Sequence, residues 1–231
     1  MMVDIEGNIR RVQERIAQAC RRAGRSPSEV TLIAITKTVP APSIRLAFDA
    51  GLRHFGENRV QEAEPKIREL AGLEPRPVWH MVGHVQTNKI RVMVELFNMV
   101  HSLDSLRLAE ALDRHARPSP SGEGLPVLIQ VNVAGEATKG GFRPAEARAA
   151  VGTVGRLPNL KVKGLMTIAP IVAEAGEARP VFRELRHLAM RLGLPELSMG
   201  MTDDFEVAIE EGATMVRIGR AIFGERPAEG K

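Results

Sequence analysis

Residues 30–40 read VTLIAITKTVP, an aliphatic run that a lysine follows directly. A short continuous run of aliphatic and β-branched residues is typical of a strand covered on both faces, as in a parallel sheet. The charged side chain of Lys37 therefore stands where the predicted strand leaves the core. A lysine at a strand end is most often simply solvated, so a functional interpretation depends on what the rest of the chain places beside it.

Similar runs recur along the whole chain, and amphipathic helical segments separate them. The candidate strands are 30–36, 52–55, 78–81, 98–102, 127–133, 161–167, 196–200 and 214–219. The candidate helices between them are 42–50, 59–71, 87–96, 104–116, 144–156, 177–192 and 203–211. This alternation predicts an α/β fold, a single (β/α)8 TIM barrel domain over residues 1–231. A doubly wound open sheet is the alternative architecture.

An additional helix is predicted before the first strand. Its apolar residues recur at three- and four-residue spacing, and they are Ile5, Ile9, Val12, Ile16 and Ala19. We expect this N-terminal helix to plug or flank the barrel. The segment 117–126 is the low-complexity part of the chain and is predicted to be an exposed loop before the fifth strand.

Composition narrows the class of protein. The net charge of +4 is spread over the chain, and no basic stripe is interleaved with aromatic residues, which argues against nucleic-acid binding. A mild basic excess suits an anionic small ligand. The single cysteine, Cys20, is expected to be a packing residue, and it excludes an intramolecular disulfide. With no signal-like or membrane-spanning run, we expect a protein of the reducing cytoplasm.

The predicted strand ends carry the candidate functional residues. In an α/β barrel, ligand sites lie where strands end and helices begin. Here those ends are polar and rich in glycine, whereas the strands behind them are aliphatic. The side chains and turns at these ends include Lys37, Asn58, His80, Ser198, Thr202, Arg217 and Gly219. The sequence therefore predicts a ligand site above a packed core.

The loops after the last two strands favour an anion. Barrels often hold phosphate in these loops, against helix N-termini. Thr202 can offer a hydroxyl there, and the amides near Gly219 and Arg220 can offer N–H donors, since glycine lets the backbone approach an anion closely. Ordinary helix capping by Thr202 and a tight turn at Gly219 are the alternative interpretation.

Lys37 and this phosphate site together indicate a phosphorylated carbonyl ligand. Desolvation at a barrel mouth disfavours the ammonium form of a lysine, which leaves the amine able to form a Schiff base. Pyridoxal 5′-phosphate (PLP) matches both ends of the site. Arg217 adds a third point, because an arginine at the pyridine nitrogen cannot accept a proton and would keep the ring neutral. A strand-end salt bridge is the alternative for Arg217.

Other titratable residues receive structural interpretations. His80 and His84 form an H-x-x-x-H pair without a neighbouring carboxylate, so no metal site is predicted. We expect His80 to be a hydrogen-bonded histidine near the rim of the ligand site. The acidic pairs at 203–204 and 210–211 are predicted to be helix-start and helix-surface charges. No residue is assigned a catalytic role.

The chain resembles the pyridoxal phosphate homeostasis protein family over nearly its whole length. The stretches that carry the resemblance are LIAITKTVP, HFGENRVQEAEPK, WHMVGHVQTNK, VLIQVNVAGEATKGGF, GLMTIAP and LSMGMTDDFEVAIEEGATMVRIGRAIFG. The family looks like the barrel half of alanine racemase, a fold-type III PLP protein, without its second domain. The resemblance implies a Schiff base on Lys37, with Asn58 beside the cofactor and Arg217 facing the pyridine nitrogen. It also implies that four residues lie around the phosphate, namely Ser198, Thr202, Gly219 and Arg220.

Two of these positions depart from the commonest family form. Thr202 is often serine, a change that keeps the hydroxyl. Arg220 is often a small residue, which is harmless if its backbone amide makes the contact.

The resemblance also implies a function, a non-catalytic role in PLP homeostasis as a reversible carrier or reservoir. Racemases of this fold use a tyrosine as their second base, and this chain contains no tyrosine. A racemase-like enzyme and an interaction protein that delivers PLP to B6-dependent apo-enzymes are the alternatives. We expect a monomer with no membrane or nucleic-acid partner.

Overall fold

Eight parallel strands close into a barrel in sequential order. The structure is a computed structural model and describes residues 3–117 and 122–225. Its strands are β1 (Thr31–Ile35), β2 (His54–Glu57), β3 (Val78–Met81), β4 (Met99–Leu103), β5 (Leu125–Gln130), β6 (Leu160–Met166), β7 (Glu196–Ser198) and β8 (Met215–Ile218). β8 pairs with β1, with Arg217 opposite Ile33. This closure confirms the predicted TIM barrel and excludes the open sheet.

Nine α-helices occur in the described part of the chain. They are α1 (Ile5–Arg22), α2 (Ala41–Asp49), α3 (Val60–Glu69), α4 (Ile90–Leu96), α5 (Leu106–His115), α6 (Ala147–Val154), α7 (Arg179–Leu192), α8 (Phe205–Glu210) and α9 (Arg220–Phe223). The segments predicted to begin helices at 87 and 144 instead begin with short 3₁₀ turns. The four-residue α9 was not predicted, because so short an element has no measurable periodicity.

The N-terminal helix α1 flanks the barrel and does not plug it. It contacts α2, α8 and α9, and Asp4 caps its first turn by accepting from the Gly7 amide at 2.9 Å. Arg15 pairs with Glu206 at 2.6 Å, which ties α1 to α8. A long helix therefore covers the region where the last two helices, α8 and α9, are short.

Turn geometry explains the displaced strand boundaries. β2 was predicted at 52–55 but begins at His54, because the amide of Leu52 bonds the Ala47 carbonyl and so closes helix α2. Gly51, with φ of 99°, provides the left-handed residue that this helix end requires. Similarly, Ser105 caps α5, so this helix begins at Leu106 and not at the predicted 104. Local hydrogen bonds at helix ends thus shift boundaries by one or two residues.

The apolar core has two layers. The outer layer, between the strands and the helices, holds most of the buried side chains, including Cys20 as expected. A smaller cluster fills the barrel interior, and its members are Ile33, Ile35, Met99, Leu128, Met166 and Met215. Alternate residues of each strand face these two layers, so a polar residue that faces inward lies among apolar neighbours.

The predicted loop 117–126 is shorter than expected, because β5 begins at Leu125, within it. Residues 118–121 of this segment lie outside the described residues.

Within residues 3–117 and 122–225, no helix combines the length and the apolar character needed to cross a membrane.

Candidate functional site

Lys37 lies at the carboxyl end of β1 and lines a cavity. The strand ends at Ile35, Thr36 is fully buried, and Lys37 is half-buried. Gly219 and Arg220, at the start of α9, line the same cavity of about 450 Å³. Ligand pockets of small molecules have volumes of this order. The structure therefore brings the predicted lysine and part of the predicted phosphate site onto one cavity.

A buried ion pair holds the residue before Lys37. Lys66 Nζ lies 2.7 Å from Glu57 Oε1 and donates to the Thr36 carbonyl at 2.9 Å. The Thr36 hydroxyl donates to the same Glu57 oxygen at 2.6 Å. Burial raises the pKa of Glu57, and the Lys66 charge partly offsets that rise. These contacts fix the backbone from which the Lys37 side chain extends.

The residue after Lys37 is held from the same helix. Thr38 has a left-handed backbone with φ of 63°, a costly conformation for a β-branched residue. Its amide donates to the Glu62 carboxylate, which also lies 3.1 Å from Lys66 Nζ. Helix α3 thus clamps the chain on both sides of Lys37 and keeps the strained turn in place.

Arg217 and Ser198 lie inside the barrel below the mouth. Arg217 donates to Ser198 Oγ at 2.6 Å and to the Thr167 carbonyl at 2.9 Å. Burial lowers the pKa of Arg217 to about 10, and the nearby Asp204 charge opposes that shift. The guanidinium therefore stays charged at neutral pH. Both of these hydrogen-bond partners are neutral, so the arrangement differs from the strand-end salt bridge considered above.

The loop after β7 is a tight turn that places Thr202 half-buried before α8. Gly200 has φ of 91°, and a Cβ there would lie 2.6 Å from the Ala208 Cβ, so glycine is required. The N-cap of α8 is Asp204, whose carboxylate accepts from the Met201 amide at 2.6 Å. Thr202 is therefore not the cap residue, and the capping interpretation of Thr202 is wrong.

Arg220 connects the loops that follow β7 and β8. Its guanidinium forms an ion pair with the exposed carboxylate of Asp203. Gly219 occupies the N-cap position of α9, so the amides that follow it begin that helix. The side chain of Arg220 thus points to a protein carboxylate, which leaves the backbone as the part of Arg220 suited to an anion.

Asn58 and Thr202 do not line the Lys37 cavity. Asn58 lies on a separate cavity of about 730 Å³ together with Gly83 and His84. The backbones of these neighbours approach closely, since a Cβ on Gly83 would lie 2.3 Å from the Asn58 carbonyl oxygen. Ser198 is engaged with Arg217, so the geometry does not support a phosphate contact through its hydroxyl.

The two histidines of the H-x-x-x-H pair lie in different environments. His80 is buried between His54 and His101, with ring nitrogens 2.9 Å apart on each side. His84 is exposed and lies 3.0 Å from Asp104. His80 is hydrogen-bonded as expected, but it is buried and does not lie at the rim. No group of three ligating side chains in the described ranges could hold a metal ion. Burial lowers the pKa of His80 to about 3.

The two acidic pairs have different outcomes. Asp204 occupies the N-cap position of α8, as predicted for a helix-start charge, although its side chain is buried. Glu211 is only 3% exposed, and its carboxylate pairs with three arginines of α7, namely Arg179, Arg183 and Arg186. Glu211 is therefore not the helix-surface charge that the sequence predicted.

Sequence analysis also missed the groups that support the site. A signal existed for two of them: Glu57 ends an apolar strand, and Lys66 directly follows a proline within a helix. A second signal is that histidines interrupt three consecutive predicted strands, at His54, His80 and His101. Charged and imidazole groups inside apolar strands are seldom buried without a partner.

Comparison with known proteins shows first the class of domain and then the protein family to which the chain belongs. Residues 7–227 match the family model of the alanine racemase N-terminal domain. A pyridoxal phosphate homeostasis protein of Pseudomonas aeruginosa is 48% identical over 230 residues, covering 97% of each chain. The Escherichia coli protein of the same name is 42% identical and covers 97% of this chain and 98% of its own. The chain belongs to the pyridoxal phosphate homeostasis protein family.

Solved structures agree with this assignment. PipY of Synechococcus elongatus, solved with PLP bound, is 42% identical with a TM-score of 0.78, over 92% of this chain and all of its own. Alanine racemase from Corynebacterium glutamicum has a TM-score of 0.65 at 19% identity and is covered over 62% of its length. The second likeness concerns the barrel fold alone.

Proposed function

We propose that this protein binds PLP reversibly and acts in PLP homeostasis as a carrier or reservoir. The observation that carries the proposal is the shared cavity of Lys37, Gly219 and Arg220 at the carboxyl end of the barrel. A relative at 42% identity has been solved with PLP bound, and curated relatives are named for PLP homeostasis.

The chemistry of the described residues fits the parts of PLP. A primary amine at Lys37 suits the aldehyde, and the first amides of α9, after Gly219, suit the phosphate. Thr202 can add a hydroxyl from the neighbouring turn, and Asn58 follows the end of β2, on the separate cavity described above. Arg217 suits the pyridine nitrogen as a hydrogen-bond donor. The aldehyde of bound PLP would supply a covalent link to an amine and, with a neutral ring, weak electron withdrawal.

We propose that Ser198 acts through Arg217 and not through phosphate. Its hydroxyl accepts a hydrogen bond from the Arg217 guanidinium, deep in the barrel. We further propose that residues 1–231 form one domain that works as a cytoplasmic monomer. The alternative role, delivery of PLP to PLP-dependent apo-enzymes, is tested by a transfer assay to such an apo-enzyme.

Borohydride trapping tests the role of Lys37. We expect PLP-loaded protein to become irreversibly modified on Lys37, as peptide mapping by mass spectrometry would show. The Lys37→Ala variant should lose the modification while its circular dichroism spectrum stays unchanged, because the side chain lies outside the packed core. Lys161→Ala, on an exposed part of β6, is the matched control and should be modified like the wild type. Equal labelling of another lysine in Lys37→Ala would show that the assignment is wrong.

We propose that the protein does not turn over amino acids. Arg217 is a charged hydrogen-bond donor, so it would offer the pyridine nitrogen no group that accepts a proton. The chain also has no tyrosine to serve as an opposing base. We therefore expect no conversion of L-alanine to D-alanine above the rate of free PLP, measured by chiral chromatography. Sustained production of D-alanine that Lys37→Ala abolishes would place the protein among the racemases instead.

A further inference from the structure

Five polar side chains form a continuous hydrogen-bonded chain inside the barrel. His54 Nδ1 lies 2.9 Å from His80 Nε2, and His80 Nδ1 lies 2.9 Å from His101 Nε2. His101 Nδ1 lies 2.8 Å from Ser198 Oγ, which accepts from Arg217 at 2.6 Å. These hydrogen bonds therefore link side chains of β2, β3, β4, β7 and β8 within an otherwise apolar interior.

Strand alternation confirms that these side chains face the barrel axis. Trp79 and Met81, on either side of His80, belong to the outer layer. Met99, two residues before His101, belongs to the inner cluster. His80 and His101 are 3% and 0% exposed, so solvent cannot satisfy their nitrogens. The two histidines must therefore form their hydrogen bonds with the other side chains of this group of five.

Arg217 sets the direction of every hydrogen bond in the chain. An arginine can only donate, so Ser198 accepts from it and directs its own hydroxyl proton to His101 Nδ1. A neutral His101 then carries its proton on Nε2 and donates to His80 Nδ1. By the same argument His80 donates from Nε2 to His54 Nδ1. The opposite direction would leave the Ser198 hydroxyl proton without any of these acceptors.

The histidines must be neutral for this order to hold. A second proton on His80, at Nδ1, would face the Nε2–H of His101 across 2.9 Å. A second proton on His101, at Nδ1, would face the hydroxyl proton of Ser198 across 2.8 Å. Burial favours the neutral imidazole at both positions, and it lowers the pKa of His80 to about 3. It also lowers the pKa of His101 well below its ordinary value. Among these five hydrogen-bonded side chains, Arg217 is thus the charged group, and the buried histidines His80 and His101 are neutral.

We propose that His101, supported by His80 and His54, is a positioning residue for Arg217. By accepting the Ser198 hydroxyl proton, it turns the serine lone pairs toward the guanidinium and fixes the orientation of Arg217. This inference deepens the proposed function and rests on it, because Arg217 is the group assigned to the pyridine nitrogen. Without an acceptor at His101, the Ser198 hydroxyl rotates and Arg217 keeps only the Thr167 carbonyl as a fixed partner.

Nuclear magnetic resonance of the PLP-free full chain tests the geometry without reference to the ligand. Long-range ¹⁵N correlation spectra should show the Nε2–H tautomer for both His101 and His80. The Arg217 guanidinium signals should be resolved in the wild type, because its rotation is restricted, and averaged in His101→Leu. Nδ1–H tautomers at both histidines, or unchanged Arg217 signals in His101→Leu, would overturn the proposal.

PLP affinity tests the consequence for binding. His101→Leu should weaken PLP binding about tenfold, the effect of one buried hydrogen bond lost. His101→Asn, whose amide oxygen can replace Nδ1 as the acceptor, should restore most of the affinity. Met99→Leu, on the same face of β4, is the packing control and should bind as the wild type does. Equally weakened PLP binding in all three variants would show that His101 is only a packing residue.

The two measurements separate this proposal from the proposed function. If the wild type fails to bind PLP, the assignment of PLP fails, while the tautomers and the Arg217 signals still decide whether His101 positions Arg217. If the wild type binds PLP and His101→Leu binds it equally well, the positioning role fails and the PLP assignment stands. Thermal melting of each variant shows that the compared proteins are folded.

Discussion

Lys66→Met is expected to lower the free energy of unfolding by about 3–5 kcal/mol, the range for removing one partner of a buried ion pair. The Glu57 side chain is fully buried, and its Oε2 already has no hydrogen-bond partner among the described residues. Loss of Lys66 would leave this carboxylate without its cation. The measurement is urea denaturation at pH 7, followed by circular dichroism.

Two further variants show whether the buried charge causes the loss. Glu57→Leu combined with Lys66→Met removes both charges, and we expect it to recover most of the stability, since apolar replacements of buried pairs are often neutral. Arg68→Met removes an exposed pair with Glu64 on the same helix, at 2.9 Å, and should cost less than about 1 kcal/mol. A loss in the double variant as large as in Lys66→Met would contradict the mechanism.

The same substitution should also affect the ligand site. Lys66 donates to the Thr36 carbonyl and contacts Glu62, which accepts from the Thr38 amide. Lys66→Met would therefore loosen the turn on both sides of Lys37. We expect faster amide hydrogen exchange at Thr38 in this variant than in Arg68→Met, which leaves the turn untouched.

The buried histidines are expected to make the protein sensitive to mild acid. Burial lowers the pKa of His80 from 6.5 to about 3, so the unfolded chain binds a proton that the folded protein excludes. The stability linked to this residue is present above about pH 6.5 and is lost as the pH falls toward 3. Between these two pKa values the free energy of unfolding changes by at most about 1.4 kcal/mol per pH unit. Because the unfolded histidine is only partly protonated near pH 6, the total change between pH 6 and pH 4 is about 2.5 kcal/mol.

A comparison of variants isolates this effect. Buried carboxyl groups such as Glu57 have raised pKa values and change stability in the opposite direction, but they are common to both proteins. We expect the stability advantage of the wild type over His80→Asn to shrink by about 2.5 kcal/mol from pH 6 to pH 4. His187→Asn, at an exposed position on α7, is the control and should follow the wild type. A constant difference for His80→Asn across this range would show that His80 takes up protons in the folded state.

Much of the fold could be predicted because strand and helix patterns are local. The strand at 78–81 was predicted with the bounds that the structure shows, and the alternation of strands and helices was enough to indicate the barrel. Boundaries failed where hydrogen bonds at a helix end decide them, as at Leu52 and Ser105. Helix α9 was missed because its four residues show no period.

The candidate site was only partly predictable. Lys37, Gly219 and Arg220 were singled out by their places at strand ends, and they share a cavity. Asn58 and Thr202 were singled out in the same way but do not line that cavity. Glu211 was misjudged, since acidic pairs in short helices are usually exposed, and only the arginines of α7 show why this one is buried.

The sequence by itself determined the order of strands and helices, the strand end at which Lys37 stands, and the absence of tyrosine. The tertiary structure alone decided which polar groups became partners. His54, His80 and His101 are 26 and 21 residues apart, and His101 and Ser198 are 97 apart. Local periodicity shows which face a residue occupies, but only the closed barrel brings these faces together. Burial there removes water as a partner, so each group must find another group of the protein.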